Sequence, residues 1–308
     1  MPINSCKITL AGFICLFLFL PDAILGQVES NDSIQNSDTL IETNTEFNFY
    51  MFDFSYTNNN IKTKDQSEET IPAFIGDVSF LHKTGLYADF MYTNYLNADT
   101  SSYDIDLEAG FQKYFFDDFW DIDLNYTYHK YNGISDFKGI DYNHAINAST
   151  GITYEMLYLS GDGNFYLDNK NYFTSISVGI LLDFESILTK DDFIFIQPIV
   201  TINQGTDYWL YDIYEPYIKN VLLPILKYRG YPTENLTTQD IVERYLENNN
   251  LSTNTYTYQG VDFLIPITYG IGSFSASFSW MYYIPSDKLK AFGMKDQSGY
   301  ILSLSLIF

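Results

Sequence analysis

The sequence predicts an all-β chain, a transmembrane antiparallel up-and-down β-barrel of about 12 strands, with ten and fourteen as the alternatives. Three observations predict it: long segments with two-residue alternation, a predominantly apolar face opposite a polar one, and links that are alternately short and long. Most segments run ten to fourteen residues, about twice the usual globular strand. A tilted strand crossing a bilayer takes roughly 9 to 11.

Residues 1–26 read as an export signal, with Lys7 in the positive region, Ile8–Leu20 as the apolar run and "PDAILG" as the exit. The run is short of the roughly 20 residues of a membrane-spanning helix. Cleavage is expected after Gly26. Cys6 and Cys15 then leave with the signal, and the mature chain has neither disulfides nor thiol chemistry. Residues 27–46 are acidic and polar without periodicity, a flexible leader. The barrel takes 47–308.

The expected strands are 47–57, 71–82, 85–96, 103–114, 119–130, 142–154, 158–168, 171–184, 192–204, 255–269, 272–284 and 299–308. The seventh is the weakest, carrying Gly161 and Gly163. In the fifth, Trp120, Ile122, Leu124, Tyr126 and Tyr128 alternate with Asp121, Asp123, Asn125, Thr127 and His129. The fourth sets Tyr103, Ile105, Leu107, Ala109 and Phe111 against Asp104, Asp106, Glu108, Gly110 and Gln112. A soluble sandwich would turn such a polar face to water and carry Lys there as well as Asp. These polar faces are nearly free of Lys and Arg, as if turned into a confined wet space. Aromatics make up 18% of the chain and gather near segment ends, the girdle expected at two bilayer interfaces.

With the carboxyl end on the periplasmic side, the links there are "HKTG", "YFFDD", "EML", "ESILTKDD" and "GIGS". Those on the other side are 58–70, 97–102, 131–141, a tight "DNKN", a very long 205–254 and 285–298. Short turns below and long loops above are the asymmetry of transmembrane barrels.

Together, the export signal, cysteine-free mature chain, amphipathic strands and terminal aromatic strand resemble the Gram-negative outer-membrane β-barrel proteins. The resemblance is architectural, covers about 260 residues and implies no substrate. It implies lipid of the outer membrane as surroundings. It also implies an assembly signal in the last strand, Tyr300, Leu302, Leu304, Leu306 and Phe308, read by the barrel-assembly machinery.

With the apolar faces against lipid, the lumen receives Asp53, Asp77, Asp89, Asp104, Asp106, Glu108, Asp121, Asp123, Asp162, Asp183 and Asp262. Carboxylates crowded in this way favour cations or basic solutes, as rings of Asp and Glu do in pores. The plainer reading is that a chain of net charge −23 places Asp wherever it is polar. That charge excludes nucleic acid as a partner. The long link reads as two helical pieces, 214–232 and 237–250, with Thr237 or Thr238 as N-cap and Asn248 to Asn250 as the stop. Its cations Lys219, Lys227, Arg229 and Arg244 include both arginines of the chain. The link folds inward as a plug. Alternatively, Val221, Leu222, Leu223, Ile225 and Leu226 pack together as an extracellular cap, or it meets a protein partner outside or in the periplasm.

Catalysis would need a base beside a serine at the rim. His82 falls at a short turn, His144 on the lipid-facing parity, and His129 reads as a rim residue. The expectation is a narrow pore or, failing that, a sealed structural or partner-binding barrel, with no catalytic site, no cofactor and no metal.

Overall fold

The computed structural model of the protein describes residues 48–59, 72–96, 102–116, 119–132, 143–168, 171–207, 210, 214, 217–229, 238–249, 251–253 and 255–308. The expected export signal and leader lie outside them. The strands are β1 (Phe49–Thr57), β2 (Ala73–Leu81), β3 (Leu86–Tyr95), β4 (Ser102–Phe115), β5 (Trp120–Asn132), β6 (His144–Tyr154) and β7 (Leu157–Tyr166). They continue as β8 (Asn171–Ile180), β9 (Leu182–Glu185), β10 (Asp192–Ile196), β11 (Ile199–Thr206), β12 (Tyr256–Ile271), β13 (Phe274–Pro285) and β14 (Gln297–Ile307). All pairings are antiparallel between neighbours. β14 returns to β1, with Met51 opposite Ile307 and Thr57 opposite Ile301, and β11 joins both β8 and β12, so the sheet closes.

Fourteen assigned strands make twelve staves. β8 and β9 face β11 and β10 in one unbroken register, with Gly179 opposite Ile199 and Glu185 opposite Phe193. Leu181 interrupts one stave and Gln197–Pro198 the other. Proline cannot donate to the ladder, so the assignment breaks where Pro198 stands. The glycine-bearing seventh segment is no exception to the pattern: β7 is paired along its length with both β6 and β8.

Following paired residues once round the sheet returns to the line of β1 displaced by about 16 residues. With the ordinary strand rise and spacing, that stagger over twelve staves means a tilt of about 43° and a backbone radius of about 12 Å. Such a radius leaves room inside for side chains and a water-filled space between them.

Large apolar side chains stand exposed round the outside, among them Phe52, Phe90, Leu107, Leu124, Ile176 and Leu304. A belt of this size is unfavourable in water and is solvated in hydrocarbon. At the short-turn end the turn Gly272–Ser273 needs φ of +55° at Gly272, which glycine reaches without cost. The β9–β10 hairpin reaches past its neighbours there. β7 begins at Leu157, opposite Ile180, so β9 has no strand along its other edge. Asp192 closes the hairpin tip, accepting N–H bonds from Ile187, Leu188 and Thr189 at 2.8, 3.0 and 3.0 Å and the Tyr269 hydroxyl at 3.0 Å.

At the long-loop end the link after β11 is helical, as its sequence predicts. A π-helical turn, Ile218–Leu222, runs into α1 (Leu223–Tyr228), and α2 (Thr238–Asn248) follows. A third helix, α3 (Asp287–Ala291), lies in the β13–β14 link, with the Ser286 hydroxyl accepting the Leu289 N–H at 3.3 Å. Leu210, Ile218, Ile241, Val242 and Leu246 of the first link bury together with Leu289 and Met294 of the second. The two links thus form one lobe with its own small core. The expected self-packing of the helical leucines and valine is only partly right: Leu222 and Leu223 pack against this core, but Val221 and Ile225 remain 44% exposed. The helix turns only one apolar face to the core, and those two residues fall on its other side.

The lobe is pinned to the wall at Asp207, which is fully buried just past β11. Its carboxylate binds the Lys288 ammonium and accepts the Thr257 hydroxyl at 2.7 Å, so one group ties β11, β12 and α3 together. Beside it, Lys290 Nζ lies 3.1 Å from Asp296 and the Tyr282 hydroxyl donates to the same carboxylate at 3.0 Å. The bond from Lys290, then that from Tyr282, hold the Asp296 carboxyl below its ordinary value. This small stabilising contribution is present above the ordinary carboxylate range and is lost as pH falls through the lowered value.

Candidate functional site: the acidic inner wall

Strand alternation puts the side chains opposite the apolar belt on the inner face. There the carboxylates are not spread evenly. Register brings most of them onto adjoining staves β1–β7. Asp53 faces Asp77 across β1 and β2, Asp89 faces Glu108 across β3 and β4, and Asp106 faces His129 across β4 and β5. Like charges directly opposite each other destabilise a sheet unless other groups or ions compensate.

Neighbouring hydroxyls and amides do much of this. Ser55 and Ser305 both donate to Asp53 at 2.5 Å, and Ser79 donates to Asp77 at 3.2 Å. Tyr87 reaches across two staves: its hydroxyl lies 2.8 Å from Glu108 and 2.9 Å from Asp123. Gly110 makes that reach available, since a Cβ there would stand 2.6 Å from the Tyr87 ring. Thr127 donates to Glu108 at 3.1 Å, Asn125 to Asp123 at 3.0 Å, and Asn147 to Asn125 at 2.5 Å. Gly151 similarly leaves space for the Asp121 carboxylate, which would lie 2.4 Å from an added Cβ. Ser175 donates to Asp162 at 3.0 Å. A polar cavity of about 460 Å³ opens between these groups, lined by Tyr87, Glu108, Asp121, Asp123, Asn147 and Asp162.

Nearer the long-loop end, Tyr95 donates to Asp104 at 2.5 Å, and His129 sits between Asp106, bound to its Nδ1, and Asp104, 3.8 Å from its Nε2. His129 stands near the long-loop end of β5, as its sequence position suggests, and at 4% exposed it is enclosed by the side chains around it. His144 lies on the outer face, its Nδ1 2.5 Å from the Tyr126 hydroxyl, and His82 bonds Thr84 at 2.8 Å in a short turn. Asp262 stands apart on β12 with Asn203. Asp183 is on β9 at the exposed edge of the hairpin, away from the other carboxylates. Among the described residues no group of three His, Cys, Asp or Glu side chains is placed to hold a metal ion.

Lys113 and Lys130, the lysines within the strands, fall on the outward parity and are exposed. Lys219, Lys227, Arg229 and Arg244 are all exposed on the lobe. Tyr300, Leu302, Leu304 and Leu306 share the outward parity of β14, and Phe308 follows it half exposed. Sequence reading missed Tyr87, Tyr95, Asn125 and Asn147 as partners of the carboxylates. Their parity was the available sign, since Tyr87, Tyr95 and Asn125 alternate in step with an inward Asp on their own strands and Asn147 with the inward Ser149.

A closed antiparallel barrel with an apolar belt outside and a polar interior has the architecture of the outer-membrane β-barrel proteins. Among solved structures, the chain is similar to the KdgM porin, at 9% identity and a TM-score of 0.44, with 83% of this chain and 98% of that one covered. It is also similar to an outer membrane channel from Pseudomonas putida F1, at 10% identity and a TM-score of 0.46 over 89% and 100% of the two chains. The NanC porin gives 8% identity and a TM-score of 0.40, over 83% and 98%. With these scores below 0.5, nothing about solute or partner carries over to this chain. No family model matches the sequence, and no curated protein matches it.

Proposed function

We propose that the protein is an outer-membrane pore for small solutes, with the short turns in the periplasm and the lobe outside, and that its acidic inner wall favours cations. The observation that carries this reading is the polarity of the wall. Its carboxylates are backed by hydroxyls and amides, and the strand lysines point the other way. Rings of carboxylates in a confined aqueous space raise the local concentration of cations and exclude anions. The lobe lies over the β11–β13 side of the mouth, where Tyr283 packs on its core. It acts as a partial cap that narrows entry.

In planar bilayers the purified barrel should conduct with a reversal potential displaced toward the cation limit. Replacing Asp121, Asp123 and Asp162 together by Asn should cut that displacement by about half, because other inward carboxylates remain. An unchanged reversal potential in the triple variant would refute the role of the wall. Absence of conductance, both in the intact barrel and after removal of 215–248, would refute the pore.

A further inference from the structure

The β9–β10 hairpin leaves one strand edge open at the short-turn end, and the bonds on either side fix which backbone groups point along it. Even-numbered residues of that stave face β10 and β11: the Ile180 N–H donates to Pro198 O at 3.1 Å and the Ser186 N–H to Asp192 O at 2.8 Å. Odd-numbered residues face the other way, where the Leu181 N–H donates to Met156 O at 2.7 Å. That neighbour ends there, since β7 begins at Leu157 opposite Ile180. Asp183 and Glu185 therefore each present an N–H and a C=O along an edge with no strand beside it.

The side chains along this edge alternate between apolar and acidic. Leu182 and Phe184 lie on the outer face, with Phe184 exposed, and Asp183 and Glu185 lie on the inner face. Carboxylates farther along the wall are met by serine, tyrosine or amide groups. Asp183 and Glu185 are exposed, and among the described residues neither carboxylate has a hydrogen bond or an ion pair. Opposite them on β10 stand Phe195 and Phe193, which offer no compensating charge.

We propose that this edge takes an extended segment of a protein on the short-turn side as an added antiparallel strand, with basic residues at every second position and apolar residues between. A residue directly opposite Asp183 or Glu185 exchanges two backbone bonds with it and turns its side chain to the same face, so Lys or Arg there pairs with each carboxylate. The residue between them meets Phe184 and is apolar. The same chemistry disfavours two other occupants. Residues 27–46 of this chain include acidic residues and no Lys or Arg, and would set like charges against the edge. A second copy in the same membrane is related by an axis along the bilayer normal, and a strand tilted about 43° to that axis would cross its mate nearly at a right angle. The added strand extends the wall below the β6–β7 turn and tethers its protein beside the lumen mouth.

The test places the folded barrel in zwitterionic phospholipid nanodiscs, which leave both ends accessible, and follows the anisotropy of a fluorescein-labelled peptide of alternating lysine and valine. Saturable binding is expected. N-methylation at the lysines removes the N–H groups that meet the edge and should weaken binding about tenfold. N-methylation at the valines keeps the charge and leaves those donors free, so affinity should be retained. Asp183→Lys with Glu185→Lys should weaken binding about tenfold as well, and should let a peptide of alternating glutamate and valine bind instead. Heat-modifiable migration checks that this variant is folded. Non-saturable binding, equal affinity of the two methylated peptides, or unchanged affinity in the folded double variant would overturn the proposal. Displacement of the probe by a synthetic peptide of residues 27–46 would overturn it too, by assigning the edge to the chain's own leader. Release of a dimer by the probe would assign the edge to a second copy, with the same result.

Discussion

Deletion of Phe308 should leave only a small fraction of the chain folded in the membrane, read as the loss of its heat-modifiable band in outer-membrane fractions. The Phe308 N–H donates to Tyr50 O at 2.9 Å, and the Tyr50 N–H donates back to Phe308 O at 3.1 Å. Its ring also meets Phe52 edge to face, 6.0 Å between centroids. Deletion therefore removes two backbone bonds, about 1 kcal/mol each, and an aromatic contact at the one junction that closes the sheet. Phe308→Ala separates two explanations, because it keeps both backbone bonds. If closure alone matters, that variant inserts nearly normally. If the ring is read by the assembly machinery, it fails nearly as badly as the deletion. Normal levels of the deleted chain would refute both.

Lys288→Ala should release the lobe while sparing the barrel. It takes the ammonium away from the carboxylate of Asp207, which is fully buried and keeps the Thr257 hydroxyl among its bonds. Breaking a buried pair from one side costs about 3 to 5 kcal/mol, and the lower end applies because the Lys288 side chain is 37% exposed. The expected result is rapid proteolysis in the links on either side of α2, with the strands still protected in vesicles. A conservative Lys288→Arg should retain most of the protection. Equal protease resistance in Lys288→Ala and the intact protein would show that the small apolar core holds the lobe unaided.

The barrel is legible in the sequence because period-two alternation is a local property. A register shift by one residue would turn Asp121, Asp123 and His129 into lipid and Leu124 and Tyr126 into the lumen, so pattern and register specify each other. The stave breaks were less legible. Pro198 and Pro266 are plain in the sequence, but only pairing shows that they leave two adjoining seams, on either side of one stave, each a donor short at the same level. The inner wall was readable by parity as a set of carboxylates. Its organisation was not, because Tyr87 meets Asp123 only after two strand pairings and the space left by Gly110. The burial of His129 was hidden for a similar reason. Its enclosure comes from Asp104 and Asp106 on the neighbouring stave, which sequence distance along its own strand does not reveal. The lobe joins residues from two links separated by β12 and β13, so its helices were visible and its core was not.

The junction of β1 with β14 also orders events in time. Ser55 and Ser303, whose hydroxyls bond there at 2.7 Å, stand 248 positions apart. The other neighbouring staves follow one another along the chain, most across turns of a few residues. Bringing the two ends together costs about 3 kcal/mol more loop entropy than forming a short hairpin. The curled sheet should therefore zip from its hairpins and remain open until that last contact, with β1 and β14 as its two raw edges. During that interval the chain is most exposed to pairing with another copy of itself, and the rate of closure limits how long the hazard lasts.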